Sequence, residues 1–320
     1  MKIKIAQSNK NNKNVLMPLI EKNKFNPYAG LGFYGNSKKL DNYYYDLFFS
    51  KTNRTIFLAE KDNIPVGLVS GFISSWDSRV FGIKIAKIEY ITALGAYKDA
   101  IKIKKLLIKK ILAYLKEKRV KHVSIRLNAQ DFSSIHVLED NGFRFMDNIA
   151  TYIFRQKKIE LPDVSRWFTI SRIGKKDIIP AQQIIAESGI AGHYTNDPEI
   201  SNFRVKRMYK KWLVDAIEDK KNNDVFIAKR AGVVVGCAIF SFNDLLYKHT
   251  GLQSLHRGLV AALPSAKGSF IAFTKAYLKK RKNLDFAEYD TQTYNYPMIN
   301  VLQKLGMRFF RLRYTFHKTL

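Results

Sequence analysis

The chain contains one long internal repeat. The segment Ile56–Glu60, followed by Val66–Leu68, returns as Val225–Lys229 followed by Val235–Cys237, with an offset of 169 residues in both cases. Each copy alternates apolar residues in the manner of a strand, and each leads through a turn into a second apolar run that contains glycine. The repeat therefore predicts that one domain plan is used twice.

A second pair of matching segments lies near the end of each half. Asp131 to Gly142 pairs with Asn295 to Gly306, and in each segment the glycine lies 11 positions after the first residue. With 320 residues, of which 46% are hydrophobic, the chain can bury two cores of ordinary size. We therefore predict a first domain over residues 1–157, a linker over 158–168 and a second domain over 169–320.

The order of predicted elements is the same in both halves. An aromatic helix precedes a meander of strands, and a longer helix, predicted over Asp99 to Lys118 and again over Phe270 to Lys282, connects the meander to a further strand. Strands and helices in this order predict an α/β (α+β) fold, in which each half has a mixed, mostly antiparallel sheet flanked by helices, with one crossover helix.

Composition and cysteine usage restrict the functional class. No apolar run reaches the roughly 18 residues that span a bilayer, and the start of the chain has no signal-peptide core. Cys237 is the single cysteine, so it forms no internal disulfide, and its strand context predicts a small core residue. We expect a soluble, cytoplasmic protein. No Cys/His cluster has metal-ligand spacing, so no metal is expected.

The charge balance permits two interpretations. The formal net charge is +28, with a sequence pI near 9.9, which is typical of proteins with polyanionic partners such as nucleic acid or nucleotide-bearing small molecules. The abundance of lysine, asparagine and isoleucine also fits an AT-rich genome. Charge alone does not separate these alternatives.

A small-residue turn in the second half is the strongest local signal. Residues Gly258–Ala272 predict a strand, a turn and a helix, with Lys267 in the turn. Such a turn lets backbone N–H groups approach phosphate oxygens at a helix N-terminus, which predicts a pyrophosphate site. The equivalent turn of the first half, Ala93–Asp99, has one glycine and places an acidic residue at the helix start. Gly30–Gly35 matches a dinucleotide motif by count, but no strand precedes it.

This turn resembles that of the Gcn5-related N-acetyltransferase (GNAT) superfamily. The family pattern begins with Arg or Gln and ends with Gly or Ala, positions taken here by Lys267 and Ala272, while Phe270 stands where a middle glycine is usual. The later family pattern, which has Asn, then Ala three residues later, and ends in Gly-Phe, maps onto Asn295, Met298 and Gly306-Met307. Leu302 stands where many relatives have a tyrosine that protonates the leaving CoA thiolate.

Further segments are similar to the sugar-nucleotide branch of the superfamily, which includes dTDP-fucosamine acetyltransferase and related tandem-domain N-acyltransferases of amino-deoxysugars. The matching segments, spread over most of the chain, are Trp76–Gly82, Ser133–Glu139, His193–Pro198, Tyr209–Trp212, Arg257–Ala261 and Thr291-Gln292. The resemblance implies a CoA-dependent sugar-nucleotide N-acyltransferase with a role in lipopolysaccharide biosynthesis, whose first domain is degenerate and whose second domain binds acyl-CoA.

The resemblance also implies three sets of site residues. The cofactor, acetyl-CoA or 3-hydroxybutyryl-CoA, would contact Leu259, Val260, Ala261, Lys267, Gly268, Ser269, Phe270, Ile271 and Asn295. The dTDP-linked amino sugar would contact Trp76, Asp77, Phe81, Tyr194, Asp197 and Gln292. The candidate catalytic residues are His193, Tyr294 and Tyr296.

The implied mechanism is direct attack of the sugar amine on the thioester. A backbone N–H of the strand before the turn would stabilise the oxyanion, and Tyr294 or Tyr296 would protonate the thiolate. His193, Asp197 or Glu288 could relay the amine proton through water. Which acyl chain is transferred, where the amine lies on the sugar and how many subunits assemble are not predicted.

Two other functions fit some of the same features. Aminoacyl-tRNA-dependent transferases of cell-wall peptide synthesis also pair two such domains and need a basic surface. A non-enzymatic module that binds nucleic acid would explain the charge together with Phe270 and Leu302. The sugar-nucleotide segments favour the acyltransferase.

Overall fold

The structure is a computed structural model that describes residues 3–8, 12–29, 37–51, 53–154, 161–163, 167–190, 192–281 and 283–320. For residues 37–38 and 256–257 it describes the backbone only. The run Gly30–Gly35 and residues 158–160 and 164–166 of the predicted linker lie outside the described residues. The chain forms two compact units, one of Met1–Asp147 with Arg313–Leu320 and one of Asn148–Leu312.

Twelve strands and ten helices make up the described part of the chain. The strands are β1 (Ile3–Ser8), β2 (Thr55–Lys61), β3 (Ile64–Ile73), β4 (Ile85–Ala93), β5 (His122–Asn128), β6 (Arg144–Phe154), β7 (Thr169–Arg172), β8 (Asn223–Arg230), β9 (Val233–Phe242), β10 (Ser254–Ala262), β11 (Phe286–Gln292) and β12 (Arg308–Thr319). The helices are α1 (Lys13–Glu21), α2 (Ser37–Phe49), α3 (Ser75–Phe81), α4 (Tyr97–Glu117), α5 (Phe132–Asp140), α6 (Ile178–Glu187), α7 (Asn202–Glu218), α8 (Asp244–Thr250), α9 (Ser269–Lys280) and α10 (Tyr296–Lys304).

The sheet of the first unit has the strand order β1-β2-β3-β4-β5-β12. All neighbours are antiparallel except β4 and β5, which are parallel and joined by α4. The β12 residues that pair here are Arg313–Thr319, and their partners are the whole of β5. The last strand of the sequence therefore completes the sheet of the first unit.

The sheet of the second unit has the order β7-β8-β9-β10-β11-β6. Again one pair, β10 and β11, is parallel and is joined by a helix, α9. The other neighbouring strands are antiparallel. Residues 149–154 of β6 pair with β11. Both units thus have the mixed, mostly antiparallel sheet with one crossover helix that the sequence predicts, and the α/β fold class is confirmed.

The two halves of the sequence repeat exchange their final strands. The strand that ends the first copy, β6, pairs in the second unit, and the strand that ends the second copy, β12, pairs in the first. The compact units therefore differ from the two halves of the sequence repeat. The boundary at residues 158–168 stays a prediction about those halves.

The repeat is visible in the backbone of the first hairpin of each unit. Asp62 and Asn63 between β2 and β3 have φ of 53° and 63°, and Ala231 and Gly232 between β8 and β9 have φ of 48° and 80°. Two successive positive φ values are the signature of a type I′ turn, whose twist matches that of the strands it connects. The same turn thus occurs at the 169-residue offset found in the sequence.

Each sheet is covered on both faces. In the first unit Phe57, Ala59 and Val69 pack with α4 and α5 in one apolar core, and the alternate residues of the same strands, such as Leu58, are buried on the other face. In the second unit the core beside α9 includes Phe226, and Cys237 faces α6, where its thiol lies against a backbone carbonyl. Within the described ranges, no helix is both long and apolar enough to cross a membrane.

Candidate functional site

The parallel strands of the second unit diverge along their length. Their pairing covers Ser254–His256 of β10 and Phe286–Glu288 of β11, while both strands continue for several residues beyond it. From Ala287 onward β11 pairs with β6, and from Gly258 onward β10 pairs with β9 across an irregularity in register. In the described structure a wedge therefore opens between β10 and β11 toward their carboxyl ends, with its apex at His256 and Glu288.

One edge of this wedge carries regularly spaced backbone groups. The amide of Leu263 donates to the carbonyl of Val235 at 2.9 Å, which fixes the phase of the hydrogen bonds between β10 and β9. In an antiparallel pair every second residue directs its N–H and C=O away from the partner. Here those residues are Gly258, Val260 and Ala262, so their backbone groups face the wedge. We call them the open edge.

Of the predicted cofactor residues on β10, Val260 belongs to this open edge. Leu259 and Ala261 have the opposite phase, so their backbone groups bond β9, and both side chains are buried. An extended ligand with amide groups could bond the open edge as an added strand.

β10 ends in a turn that leads into α9. Pro264–Ala266 form a single 3₁₀ turn, and Gly268, the residue before the helix, has φ of 91°. This conformation suits glycine because it has no Cβ. The amides of Gly268, Ser269 and Phe270 precede the first hydrogen bonds within the helix, which start at Ile271 and Ala272. Together with the exposed Lys267, these amides are donors that an anion could accept.

The side chain of Phe270 does not occupy the space in front of the N-terminus of α9. The Phe270 side chain is buried in the core and meets the ring of Tyr289 edge to face, with 5.2 Å between centroids. Leu302, at the family position of a tyrosine, is also fully buried. Phe270 can therefore contribute its backbone amide to an anion while its ring stabilises the helix packing.

Two residues beside the turn were missed by the sequence analysis. Ring carbons of Trp167 lie 3.6 Å from the position that a Cβ on Gly268 would take. Arg230 donates from Nη1 to the carbonyl of Ser265 at 3.1 Å and lies over the ring of Phe168. No local pattern marks these residues, because they reach the turn from the linker end and from β8.

The first unit repeats the wedge without the same turn. β4 and β5 pair in parallel only over Ile85–Ile88 and His122–Ile125 within the described residues, and β4 continues to Ala93. The helix that follows, α4, is preceded by Ala96 with φ of −67° and carries Asp99 in its first turn. An acidic side chain there stabilises the helix dipole and opposes a bound anion. Both turns contain a glycine with positive φ and a lysine, Gly95 with Lys98 and Gly268 with Lys267, but only the start of α9 has no acidic residue in its first turn.

A hydrogen bond joins the loop that carries His193 to the turn that carries Tyr294. His193 and Tyr194 lie in the loop between α6 and α7, with 4.0 Å between their ring centroids. In the same loop Asn196 donates from Nδ2 to the Tyr294 hydroxyl at 3.1 Å. The structure therefore joins the His193 loop to the turn between β11 and α10, and Tyr296 is the first residue of α10.

Several predicted ligand residues have local structural roles. Asn295 accepts a hydrogen bond from the amide of Met298 and caps α10. Asp197 is buried, and its carboxylate accepts the amide of Glu199 in its own loop. Tyr194 and Ser269 are also buried, Gln292 ends β11 half-buried, and the side chain of Tyr296 is 69% exposed. Of the predicted catalytic tyrosines, Tyr296 is the more accessible.

The remaining predicted substrate residues lie in the first unit, on α3. Asp77 is buried in the first turn of this helix, where its carboxylate contacts the Ser74 hydroxyl and the Lys87 ammonium, the latter at 2.6 Å. Phe81 is buried at the helix end, and Trp76 is half-buried. These contacts give Asp77 and Phe81 a role in holding α3 against its sheet.

A buried ion pair lies at the apex of the wedge. Glu288, in the last register pair between β11 and β10, accepts a hydrogen bond from Arg311 Nη2 at 2.8 Å. Both side chains are mostly buried. Two residues further along the strand, Asp290 accepts the Thr151 hydroxyl at 2.6 Å.

Cys237 and Tyr289 are poorly suited to proton or group transfer. Burial raises the pKa of the Cys237 thiol to about 12, so a thiolate is disfavoured at neutral pH. Burial likewise raises the pKa of Tyr289. Neither group provides a nucleophile or an acid for the wedge.

Comparisons with known proteins identify the fold. No protein-family model matches the chain, and no curated protein matches it. Among solved structures it is similar to a tandem GNAT protein from the clavulanic acid biosynthesis pathway, with 10% identity and a TM-score of 0.59 over 99% of this chain and 98% of that one.

Two further solved structures are similar to the chain over most of its length. A GCN5-related N-acetyltransferase from Sphaerobacter thermophilus has 10% identity and a TM-score of 0.62 over 99% of this chain and 95% of its own. A functionally unknown conserved protein from Staphylococcus epidermidis has 10% identity and a TM-score of 0.53 over 78% and 90%. The chain therefore has the fold of the tandem GCN5-related N-acetyltransferases.

Proposed function

We propose that the chain is a CoA-dependent N-acyltransferase whose second unit binds acyl-CoA. The observation that carries this proposal is the combination of the wedge, its open edge and the Gly268 turn at the end of the same strand. A pyrophosphate at the start of α9 and an amide-containing arm along the open edge match the two chemical parts of coenzyme A. The four-residue advance from Gly258 to Ala262 spans roughly 13 Å of strand, so the arm would carry the thioester toward the apex.

The reaction that this arrangement suits is direct acyl transfer. The acceptor nitrogen attacks the thioester carbonyl, an N–C bond forms, and the C–S bond breaks. The nitrogen loses one proton, and the departing thiolate takes up one, so free CoA thiol is the second product. The Val260 N–H on the open edge would stabilise the developing oxyanion, and Tyr294 or Tyr296 would supply the thiolate proton.

For the acceptor we propose the amino group of a dTDP-linked amino-deoxysugar. The support is the similarity of six sequence segments to the sugar-nucleotide branch, including the His193 loop, which carries a bond to Tyr294. The net charge of +28 favours association with a nucleotide diphosphate. The acyl group would be acetyl or 3-hydroxybutyryl.

A substrate panel tests this proposal. The protein is incubated with acetyl-CoA or 3-hydroxybutyryl-CoA and with dTDP-linked 3-amino or 4-amino sugars, and free thiol is followed over time. We expect acceptor-dependent thiol release with at least one pair and an acylated sugar nucleotide by mass spectrometry. Thiol release with simple amines but with none of the dTDP sugars would remove the sugar-nucleotide assignment and leave the acyltransferase.

A matched pair of proline substitutions tests where the cofactor lies. Val260→Pro removes an N–H that faces the wedge, whereas Ala261→Pro removes one that bonds β9. Because proline is tolerated where its missing N–H makes no ladder bond, we expect Val260→Pro to remain folded and to bind acetyl-CoA at least about tenfold more weakly, the loss expected for one or two hydrogen bonds. Ala261→Pro should lower the melting temperature far more. Calorimetry that finds unchanged acetyl-CoA affinity in folded Val260→Pro would contradict the open-edge placement.

A further inference from the structure

One face of α4 carries a straight line of lysines. Helix geometry of about 100° per residue places five of them within an arc of about 60° around the helix axis, over roughly 27 Å of its length. These lysines, which we call the lysine stripe, are Lys98, Lys102, Lys105, Lys109 and Lys116. All are exposed or half-exposed. The acidic residues of this helix, Asp99 and Glu117, lie outside the arc.

The lysine stripe has little charge compensation from its own unit. Lys105 forms an ion pair with Asp140 of α5 at 3.2 Å, and both side chains are about half exposed, so the pair stabilises little. Within the described ranges the other lysines of the stripe have no ion pair with a carboxylate. Like charges three or four residues apart destabilise a helix, so an anionic partner along the stripe would stabilise α4.

The corresponding helix of the second unit is built differently. α9 joins the parallel strands of its sheet as α4 does, and its lysines are Lys275, Lys279 and Lys280. Lys275 pairs with Asp163 at 3.0 Å, and Lys280 contacts the buried Asp224. A general excess of lysine in the composition would act on both helices alike. The alignment on α4 therefore needs an explanation that is specific to the first unit.

Exposed apolar side chains border the lysine stripe. The phase of the helix puts Leu106 on one side of the stripe and Tyr97 on the other, and both are exposed. The Tyr97 hydroxyl contacts His136 of α5, and the exposed Phe132 begins that helix. A face that combines cations with exposed leucine and aromatic rings is typical of surfaces that lie in the interface of a membrane.

A membrane fits this face better than a nucleic acid does. Arginine is the cation favoured for bidentate contacts to nucleic-acid phosphates, and the stripe has only lysines. Sites for single strands place aromatic rings along the basic groove so that successive bases stack. Here the rings of Tyr97 and Phe132 lie at one end of the stripe, and the exposed apolar residue beside its middle is Leu106, which has no ring.

We propose that the lysine stripe docks the protein on an anionic membrane surface. α4 would lie parallel to the bilayer, with its ammonium groups among the lipid phosphates and Leu106 at the boundary between headgroups and acyl chains. The contact is peripheral and reversible, since attraction to a charged leaflet acts only within a Debye length. It does not depend on the proposed acyltransferase activity, because the stripe belongs to the first unit and the proposed CoA site to the second.

The test compares the vesicle binding of matched variants. The full-length protein is sedimented with vesicles of phosphatidylcholine alone, or of equal parts phosphatidylcholine and phosphatidylglycerol, at one pH and one salt concentration. Lys102→Gln/Lys109→Gln removes two charges from the stripe, and the control Lys22→Gln/Lys39→Gln removes two exposed charges at the end of α1 and in α2. Glutamine has nearly the helix propensity of lysine, so both variants should remain folded.

We expect the unmodified protein to bind the anionic vesicles and to leave pure phosphatidylcholine unbound. Because each lysine at a charged leaflet contributes about fivefold in affinity, the stripe variant should bind about 25-fold more weakly. The control variant should stay within about twofold of the unmodified protein. Equal losses in both variants would show that net charge alone acts. That result, or a failure to bind anionic vesicles, would overturn the proposal.

A second measurement separates a membrane from a nucleic acid. Cys237 is buried and the pKa of its thiol is raised, so a thiol-reactive fluorophore should label Leu106→Cys selectively. Emission from the label should rise with anionic vesicles, because the label enters an apolar layer beside the stripe. Constant emission with vesicles, together with binding of a single-stranded oligonucleotide that requires Lys102 and Lys109, would assign the stripe to nucleic acid and overturn the membrane proposal.

Discussion

At the scale of single residues, Phe270 shows that a residue type in a sequence pattern does not fix the direction of its side chain. The family pattern has glycine there, which suggests that a large side chain would obstruct a phosphate. The structure turns the ring into the core against Tyr289 and leaves the backbone amide at the helix start. Side-chain direction depends on the phase of the helix, which a pattern of letters does not contain.

The first prediction concerns this ring. Replacing Phe270 by alanine should destabilise the second unit by about 3 kcal/mol, because it removes a buried aromatic side chain and leaves a cavity. The affinity for acetyl-CoA at a temperature where the variant is folded should change little. Urea unfolding and calorimetry measure the two effects. A variant of unchanged stability that binds acetyl-CoA more tightly would show that the ring faces the ligand.

The candidate site was predictable to different degrees at different residues. The turn from Lys267 to Ile271 was found because small residues at a strand end form a local pattern, and its left-handed glycine agrees with that pattern. Trp167, Arg230 and Arg311 come from distant segments, so only the folded chain shows their contacts. The chemical roles of His193, Tyr294 and Tyr296 stay predictions.

At the scale of elements, periodicity predicted the long segments and missed the short ones. α4 and α9 were predicted within about two residues of their observed ends, because each has several turns of apolar repeat. The seven-residue helices α3 and α8 were missed, since one or two turns give too few apolar repeats. Both end in a left-handed glycine, Gly82 and Gly251, which was the available signal.

The second prediction compares two left-handed glycines that border helices. Gly268 precedes α9 with φ of 91°, and Gly251 follows α8 with φ of 76°. Alanine at either position should cost about 1 kcal/mol, because the left-handed conformation disfavours a Cβ. Only Gly268→Ala should also weaken acetyl-CoA binding, by several-fold, since the strain alters the amides at the start of α9. Thermal melts and calorimetry on both variants check this. Equal cofactor affinities would argue against an anion at that helix start.

At the scale of the whole molecule, the exchange of final strands could not be predicted from the repeat. The repeat identifies which strands correspond, but register and partner choice depend on contacts between residues far apart in sequence. The pairs Thr319 with His122 and Ala287 with Phe154 link positions more than a hundred residues apart. The number and order of elements were predictable for this reason, and the composition of the compact units was not.

The third prediction divides the chain in two ways. A fragment of residues 1–157 lacks the β12 partner of β5 and exposes an unpaired strand edge, so it should aggregate or unfold without cooperativity. A chain of residues 1–147 joined by a flexible Gly/Ser linker to residues 313–320 contains the complete first unit and should unfold cooperatively. Circular dichroism during urea titration compares them. Cooperative unfolding of the 1–157 fragment would show that β12 is dispensable.

The exchanged strands also determine whether one copy of the repeat can be deleted during evolution. In a tandem protein whose repeats are self-contained, a copy that has lost its ligand turn can be deleted without harm to the other. Here deletion of the first copy would take β6 with it and leave β11 as an unpaired edge of the second unit's sheet. Selection on a single reaction in one copy would therefore be enough to preserve both copies.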